Sequence, residues 1–491
     1  MEHSIGLPKV ICTSHPGWIR LFNKTWELAL GNIDLKDSLR FKPMMTCMPG
    51  VGIFWQWDTC FMTHISKYSN GIIPTMNGID NLYSLQRDDG FISMAYSSDS
   101  GKECFGERIN PPLFAWAEWD YFMVSGDSSR FPSVLPALTR YFSWINCNRR
   151  RKSGLYWFED SGSSGLDNSP RSGYTSQYLN GSDICHIDLA CQQAQSALYL
   201  AKIAGYLVDG KAERMYSDFH RNTGRLINEK HWCSEHGFYY DLFARNDPQL
   251  RMNFVNHKTI AAYWAAASGV AQSHQASQLV SHLYDPSEFG ARNPVPSLSR
   301  SDPNFNEMGA YWRGGVWSPT NYMVTTGLKK YGFFAQARDI SMRHLLLLEA
   351  VADNPAYGGL WESYSPEFEM PATGEDNQIV RNDFVGWTGL STVTMLIENI
   401  FGFTFDASCN QILWEISDLG RYGIEHLLFN GGYVCLTCEE LSNQKGGTVL
   451  RVEAEKPFTL KPRIFGTNPI PEFSVNEVGI PISPGVHSIR I

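Results

Sequence analysis

Long apolar runs are missing from this sequence of 491 residues. No stretch approaches the roughly 20 consecutive apolar residues that a helix needs to cross a bilayer, so we expect no membrane partner. Residues 1–5 also lack the basic-then-apolar layout of a secretory signal peptide. Both observations favour a location inside the cell.

Cysteine patterns that would indicate disulfides or metal binding are lacking as well. The eleven cysteines run from Cys12 to Cys438 without a repeated spacing, which predicts reduced thiols and a cytoplasmic protein. The lone Cys-x-x-Cys, Cys435 to Cys438, has strand-forming neighbours, and a structural zinc site would need a second such pair. The sequence contains no His-Glu-x-x-His element. We therefore expect neither a metal nor a cofactor.

An excess of basic residues is also absent. The chain has 41 basic and 50 acidic residues and a net charge of −9, with both signs mixed along its length. A protein that binds nucleic acid or an anionic membrane usually shows a basic face, so we expect neither partner. The composition leaves the oligomeric state open.

Aromatic residues, by contrast, are abundant. They make up 13% of the chain, with 15 Trp and 22 Tyr, beside hydrophobic and charged fractions typical of a globular protein. Buried aromatics stabilise large cores, but sugar-binding sites also stack aromatic rings on the C–H faces of pyranose rings. Composition alone does not separate these two explanations.

Helical periodicity dominates the chain up to about residue 403. In the stretch 188–205, for example, Leu189, Leu200 and Ile203 share one helical face. The helices come in pairs joined by long polar loops, which predicts stacked helical hairpins and not a Rossmann or TIM arrangement. The other predicted helices span 131–145, 211–227, 258–270, 273–284, 333–350 and 387–400.

Short strand-like runs replace the helices after residue 403. They span 433–437, 448–453, 458–463 and 487–491, and turn residues separate them. We therefore predict two domains: a mainly α domain at 1–403, which contains the residues considered below for function, and a small β-sandwich-like domain at 404–491 that acts as a scaffold.

Four loop clusters, at 54–58, 165–171, 309–317 and 360–366, combine aromatic residues, a carboxylate or an arginine, and glycine or proline in different mixtures. Loops on a rigid scaffold often carry function. Glycoside hydrolysis needs one carboxyl group to protonate the departing oxygen and a second carboxylate to activate water or to attack the anomeric carbon. Asp167 and Glu362 are the candidates for this pair.

Each candidate also has a structural explanation. Asp167 and Asp58 could cap helices, Glu362 could be a surface carboxylate beside a buried Trp, and Arg313 could form a structural ion pair. The combination of four such clusters in one chain favours the catalytic interpretation.

The ordered set Trp-Gln-Trp-Asp, Gly-Leu-Asp-Asn-Ser-Pro-Arg, Tyr-Trp-Arg-Gly-Gly-Val-Trp and Trp-Glu-Ser-Tyr-Ser-Pro resembles glycoside hydrolase family 63. It is also similar to the trehalases and mannosylglycerate hydrolases of the same clan, over roughly residues 54–390. The resemblance implies an (α/α)6 barrel of helical hairpins and an inverting, exo-acting α-glycosidase. It implies that Asp167 is the general acid and Glu362 the general base.

The same resemblance implies a pocket for the cleaved sugar. The expected substrate is a terminal α-linked glucose or mannose on a small oligosaccharide or a glycosylglycerate. The run 367–383 is longer and more acidic than is common in the clan, which leaves the sugar, the linkage and the leaving group open. The residues implied for the pocket are Trp55, Gln56, Trp57, Asp58, Asn168, Arg171, Trp312, Arg313, Gly314 and Trp387.

Two other functions fit parts of the pattern. The first is another sugar enzyme on a helical barrel, an epimerase or a lyase, but epimerases of that shape use histidine pairs that we do not find in the aromatic loops. The second is a carbohydrate-binding protein that keeps the pocket without catalysis. The presence of both Asp167 and Glu362 disfavours this second function.

Overall fold

The computed structural model describes residues 6–34, 41–172, 181–244, 253–440, 448–464 and 479–491. The helices are α1 (Pro16–Gly31), α2 (Gln56–Ser66), α3 (Thr75–Ser84), α4 (Phe114–Ser125), α5 (Phe131–Asn148), α6 (Ile187–Tyr206), α7 (Gly210–Lys230), α8 (Trp264–Ala267), α9 (Ser273–Tyr284), α10 (Ser318–Lys330), α11 (Phe334–Asp353) and α12 (Val385–Gly389), which continues as a π-helix (Leu390–Ile400).

The strands are short in the helical region and longer after it. They are β1 (Lys9–Cys12), β2 (Ile33–Asp34), β3 (Met44–Met45), β4 (Ile53–Trp55), β5 (Ala95–Ser97), β6 (Ile184–Cys185), β7 (Trp232–Cys233), β8 (Phe238–Tyr239), β9 (Leu242–Phe243), β10 (Phe403–Asp406), β11 (Gln411–Ile416), β12 (Tyr422–Phe429), β13 (Gly432–Glu440), β14 (Val449–Ala454), β15 (Phe458–Ile464), β16 (Ile480–Ile482) and β17 (Gly485–Arg490).

The even-numbered helices contact one another in a closed ring. Helix α2 contacts α4, α4 contacts α6, and the contacts continue through α8 and α10 to α12, which contacts α2 again. Helices α3, α7 and α11 pack on α2, α6 and α10 respectively. The helical region is therefore a ring of inner helices with partner helices packed on it.

Burial along each helix follows from its place in this ring. Every residue of α2, from Gln56 to Ser66, is buried, and the π-helix is buried except at Glu398. Helix α7 is different, since it is strongly amphipathic. A helix that is covered on all sides must bury its whole circumference, whereas an outer helix needs one apolar stripe. The buried residues of α7 are Tyr216, Thr223, Gly224 and Ile227.

Most of the predicted helices agree with the structure, but one is too long. The prediction at 273–284 coincides with α9, and those at 131–145 and 211–227 lie within α5 and α7. The stretch 258–270 forms only a 3₁₀ turn (Ile260–Tyr263) and the short α8. The helix cannot start earlier because Thr259 is extended and forms a β-bridge with Leu298.

Two sheets follow the helical region. One has five strands in the order β1-β12-β13-β14-β17, and the other has four in the order β10-β11-β15-β16. Their facing aromatic side chains make contact, as between Phe405 and Phe429 and between Phe429 and Phe458. The predicted C-terminal strands are confirmed, since each predicted run overlaps β13, β14, β15 or β17.

The first strand of the chain lies in the sheet of the C-terminal region. Strand β1 is antiparallel to β12, with Lys9 opposite Glu425 and Cys12 opposite Tyr422. A division into 1–403 and 404–491 stays a prediction, and β1 crosses it. Within the described ranges, no helix has the length and apolar character needed to cross a membrane.

Candidate active site

A cavity of about 260 Å³ lies among the loops that precede the inner helices. Its wall contains Asp58 from the first turn of α2, Asp167 from the loop before α6, and Glu362 from the loop before α12. The fold thus gathers three carboxylates from distant parts of the chain. The other lining residues are Met48, Trp55, Trp57, Met94, Phe105, Arg108, Asn110, Gly162, Gly165, Tyr311, Trp312, Phe384 and Trp387.

Asp167 follows a tight turn that only glycine accommodates. Gly165 has a φ of +75°, and a Cβ at this position would lie 2.4 Å from the Trp57 ring. The Asp167 side chain is accessible from the cavity that it lines, and the cavity walls partly enclose it. Removal from bulk water, together with the nearby charge of Glu362, raises the pKa of Asp167 to about 7. The carboxyl group therefore holds its proton close to neutral pH.

Asn168 joins the Asp167 loop to the loop before α10. Its Nδ2 donates to the Ala310 carbonyl over 3.0 Å, and its Oδ1 accepts from the Trp312 backbone N–H over 2.8 Å. The Arg313 Nε atom lies 3.5 Å from the Asn168 carbonyl oxygen. Asn168 thus holds Asp167 in place against residues 310–312.

Arg171 is buried away from the cavity wall. Its guanidinium donates to both carboxylate oxygens of Asp188, at 2.6 and 2.7 Å, and to both of Asp241, at 2.7 and 2.9 Å. A buried cation must be paired in this way, and the pairs attach the Asp167 loop to the start of α6. The structure therefore gives Arg171 a supporting position behind the site.

Glu362 is held by three hydrogen bonds from different parts of the fold. The Tyr311 hydroxyl donates to Oε1 over 3.0 Å, the Trp387 indole N–H donates to the Glu362 carbonyl over 3.1 Å, and the Glu362 N–H donates to the Arg381 carbonyl over 2.9 Å. Burial raises the pKa of Glu362, while the Tyr311 hydrogen bond and the charge of Arg381 lower it. Burial is the larger effect, so the pKa of Glu362 is raised on balance, and the two contacts limit that rise by favouring the ionised carboxylate.

The backbone around Tyr311 is strained. Ala310 and Tyr311 have φ values of +37° and +63°, in the left-handed region that residues with a Cβ rarely adopt. The Tyr311 N–H donates to the Thr373 carbonyl over 2.7 Å, which holds this conformation. Burial and the charge of Glu362 raise the pKa of Tyr311 far above its usual value, so its hydroxyl remains a donor.

Asp58 is the most buried of the three carboxylates, with 4% of its surface exposed. Its side chain forms a hydrogen bond with the Cys47 thiol. Burial raises the pKa of Asp58 to about 7, although the thiol lowers it. Asp58 therefore offers the cavity a carboxyl group that is protonated in part at neutral pH.

Aromatic rings in mutual contact form much of the cavity wall. Trp57 meets Trp387 edge-on at 5.9 Å, and Trp387 meets Trp317 at 5.6 Å. Trp317 stacks on Trp312 at 4.0 Å. Trp57, Trp312 and Trp387 line the cavity, and the buried Trp317 packs against Trp312 and Trp387, so ring contacts hold the lining tryptophans in their orientations.

Seven of the twelve residues predicted for the site line the cavity, and five do not. Besides Asn168, Arg171 and Arg313, these five include Gln56, which accepts from the Tyr141 hydroxyl over 3.0 Å. The fifth is Gly314, whose N–H donates to the Ser297 hydroxyl over 3.2 Å. The seven lining residues are Trp55, Trp57, Asp58, Asp167, Trp312, Glu362 and Trp387.

Sequence reasoning did not nominate several lining residues. Tyr311 lies inside one of the four clusters, beside Trp312. Asn110 belongs to an Asn-Pro-Pro turn just before the inner helix α4. Arg108, which pairs with Asp160 at 2.7 Å, carried no signal of its own. Among the described residues, no group of three or more His, Cys, Asp or Glu side chains could hold a metal ion.

Comparison with known proteins identifies the family of the chain. The family model of the mannosylglycerate hydrolase MGH1-like glycoside hydrolase domain matches residues 54–378, well over half of the chain. An uncharacterized protein of Borreliella burgdorferi is 29% identical over 427 residues, which cover 85% of this chain and 86% of that protein.

A mannosylglycerate hydrolase of Thermus thermophilus is 36% identical over 128 residues, which cover 26% of this chain and 29% of that enzyme. The crystal structure of a family 63 mannosylglycerate hydrolase of Thermus thermophilus in complex with glucose has a TM-score of 0.62 at 19% identity. The match covers 76% of this chain and 99% of that one.

Fold and family together define a glycoside hydrolase with a fold of the α/α-barrel type. The chain belongs to the mannosylglycerate hydrolase MGH1-like glycoside hydrolases of family 63. The resemblance seen in the four sequence motifs is thereby confirmed.

Proposed function

We propose that the protein is an inverting, exo-acting α-glycosidase that removes a terminal α-linked glucose or mannose from a small oligosaccharide or a glycosylglycerate. One observation carries the proposal: two carboxyl groups from distant loops, Asp167 and Glu362, line the same aromatic cavity. Asp167, with a pKa raised to about 7, retains a proton, whereas Glu362 accepts a hydrogen bond from Tyr311.

Asp167 acts as the general acid. It donates its proton to the glycosidic oxygen as the bond to the anomeric carbon breaks, so the leaving group departs as a neutral alcohol. The raised pKa keeps this proton available near neutral pH. Asn168 and Arg171 support the reaction indirectly, since they position the loop that carries Asp167.

Glu362 acts as the general base. It takes a proton from a water molecule that attacks the anomeric carbon from the side opposite the leaving group. The Tyr311 hydroxyl and the charge of Arg381 favour the ionised form that this step requires. An inverting pair leaves room for that water, with carboxyl groups about 6.5–9.5 Å apart.

The size and lining of the cavity support the binding of one terminal sugar. Pockets for drug-sized ligands measure about 300–1,000 Å³, and a cavity of about 260 Å³ suits a single ring. Trp57, Trp312 and Trp387 offer apolar faces to the ring, and Asp58 offers a hydrogen-bonding group. Trp55 completes the subsite, with Gln56, Arg313 and Gly314 behind it.

We also propose that the helical region is an (α/α)6 barrel and that the protein is cytoplasmic. The closed ring of inner helices supports an (α/α)6 barrel. The eleven unpaired cysteines support a reducing, cytoplasmic environment.

The reaction is tested by the release of reducing sugar from α-linked disaccharides and glycosylglycerates, with Asp167→Asn as the control. Proton NMR of the first product should show the β anomer before mutarotation. An α-configured first product would exclude inversion. Binding of the sugar without any release by the native protein would instead favour the non-catalytic function.

A further inference from the structure

Residues 373–379, in the acidic segment between Glu362 and α12, form a narrow antiparallel hairpin. A bridge joins Thr373 to Ile379. Near the tip, the Gly374 N–H donates to the Gln378 carbonyl over 2.7 Å. The tip residues 375–378 are exposed. The hairpin therefore presents Glu375 on a short, hydrogen-bonded turn.

This hairpin and the Asp167 loop are fastened to the same three residues, 310–312. Thr373 accepts the Tyr311 N–H over 2.7 Å, and its own N–H donates to the Met308 carbonyl over 2.8 Å. From the other side, Asn168 binds the backbone at 310 and 312. Glu375 lies two residues beyond Thr373. Because an extended residue spans at most about 3.6 Å, the Cα atoms of these two residues are at most about 7 Å apart. Glu375 and Asp167 are thus anchored to one point of the cavity rim.

The electrostatics agree with this placement. Among the charges that raise the pKa of Asp167, that of Glu375 comes directly after that of Glu362 and ahead of that of Asp58. Asp160 also raises it, although Asp160 is paired with Arg108. The surroundings of Asp167 are therefore negative.

We propose that Glu375 determines leaving-group specificity by accepting hydrogen bonds from leaving-group hydroxyls and repelling an anionic leaving group. The inference rests on the proposed function, because the leaving group must lie beside the acid that protonates its oxygen. A carboxylate on the rim accepts hydrogen bonds from sugar or polyol hydroxyls but opposes a second carboxylate. The preferred substrates are therefore glycosides with a neutral, hydroxyl-rich leaving group, ahead of glycosylglycerates.

The test compares kcat/KM for two substrates that carry the same sugar, a neutral α-disaccharide and the corresponding glycosylglycerate. The readout is kcat/KM for the disaccharide divided by kcat/KM for the glycosylglycerate. This ratio does not depend on the fraction of the protein that is folded. The native protein should favour the disaccharide. Glu375→Lys should lower the ratio at least about tenfold, which corresponds to about one charge contact, and Glu375→Gln should lower it less.

Glu369→Gln is the matched control, because Glu369 is an exposed carboxylate of the same segment that pairs with Arg292 at 2.5 Å. It should leave the ratio unchanged. A native preference for the glycosylglycerate, or a ratio unaltered by Glu375→Lys, would overturn the inference. If Asp167→Asn is inactive at the same time, the proposed function stands. Full activity of Asp167→Asn would overturn that function instead.

Discussion

The hydrogen bond from Tyr311 to Glu362 can be removed by the loss of a single oxygen, in Tyr311→Phe. The hydroxyl donates to Oε1 over 3.0 Å and so favours the ionised carboxylate. A hydrogen bond to a charged group contributes about 1.5–3 kcal/mol, and the lower end applies because Glu362 is partly exposed. One pKa unit corresponds to about 1.4 kcal/mol. The substitution should therefore raise the pKa of Glu362 by about one unit.

The higher pKa of Glu362 should shift only the acidic limb of the pH profile of kcat/KM. A base acts only when ionised, so activity rises with pH through the pKa of Glu362 and falls as Asp167 loses its proton, near pH 7. In Tyr311→Phe the acidic limb should move up by about one pH unit. The two limbs then lie closer together, so the profile narrows and its maximum falls.

Tyr364→Phe is the matched control for this measurement. The Tyr364 hydroxyl is in the same loop, but it accepts the Trp361 N–H over 3.0 Å and is not bonded to the Glu362 carboxylate. This variant should keep the acidic limb in place. An unchanged limb in Tyr311→Phe, or an equal shift in both variants, would refute the assignment of Glu362 as the base.

A glycosyl fluoride needs little protonation of its leaving group, so it should restore much of the rate lost in Asp167→Asn but little of that lost in Glu362→Gln; the reverse pattern would exchange the two roles. Asp58→Asn should stabilise the protein more at pH 8 than at pH 5, by up to a few kcal/mol. Folding raises the pKa of Asp58 from 3.8 to about 7, so the native protein loses stability as the pH rises between these two values, and an uncharged Asn avoids that loss. Calorimetry that found equal changes in Tm at both pH values would contradict this. Gly165→Ala should lower kcat/KM at least about tenfold through left-handed strain and collision with Trp57. Gly210→Ala, at the start of the outer helix α7, where an added Cβ would have no atom within 4 Å, should retain activity.

Local sequence was sufficient to predict helices α5, α6, α7, α9 and α11 and strands β13, β14, β15 and β17, but it did not predict α1 to α4 or α10. The predicted stretch 273–284 coincides with α9 because its apolar residues repeat at helical spacing over the whole element. The prediction failed at 258–270, where a backbone bridge between Thr259 and Leu298 prevents an earlier helix start. Strand β1 was not predicted, because its four residues form a strand only through pairing with β12.

The candidate catalytic residues could also be nominated from sequence, since the motifs around Asp167 and Glu362 carry a family resemblance. The direction in which each neighbouring side chain points could not be predicted from the sequence. Arg171 reads as a sugar ligand along the chain, yet Asp188 and Asp241 hold it behind the cavity. Glu375 reads only as part of an acidic run.

The sequence by itself determined the class of enzyme, the helical architecture and the two carboxylates to test. Tertiary structure alone decided that Tyr311 contacts Glu362 and that the Glu375 hairpin shares an anchor with the Asp167 loop. These contacts join segments far apart in the chain, through loops whose backbone is set by long-range hydrogen bonds. The periodicity of a sequence depends only on residues that are close along the chain, so it cannot predict contacts between distant loops.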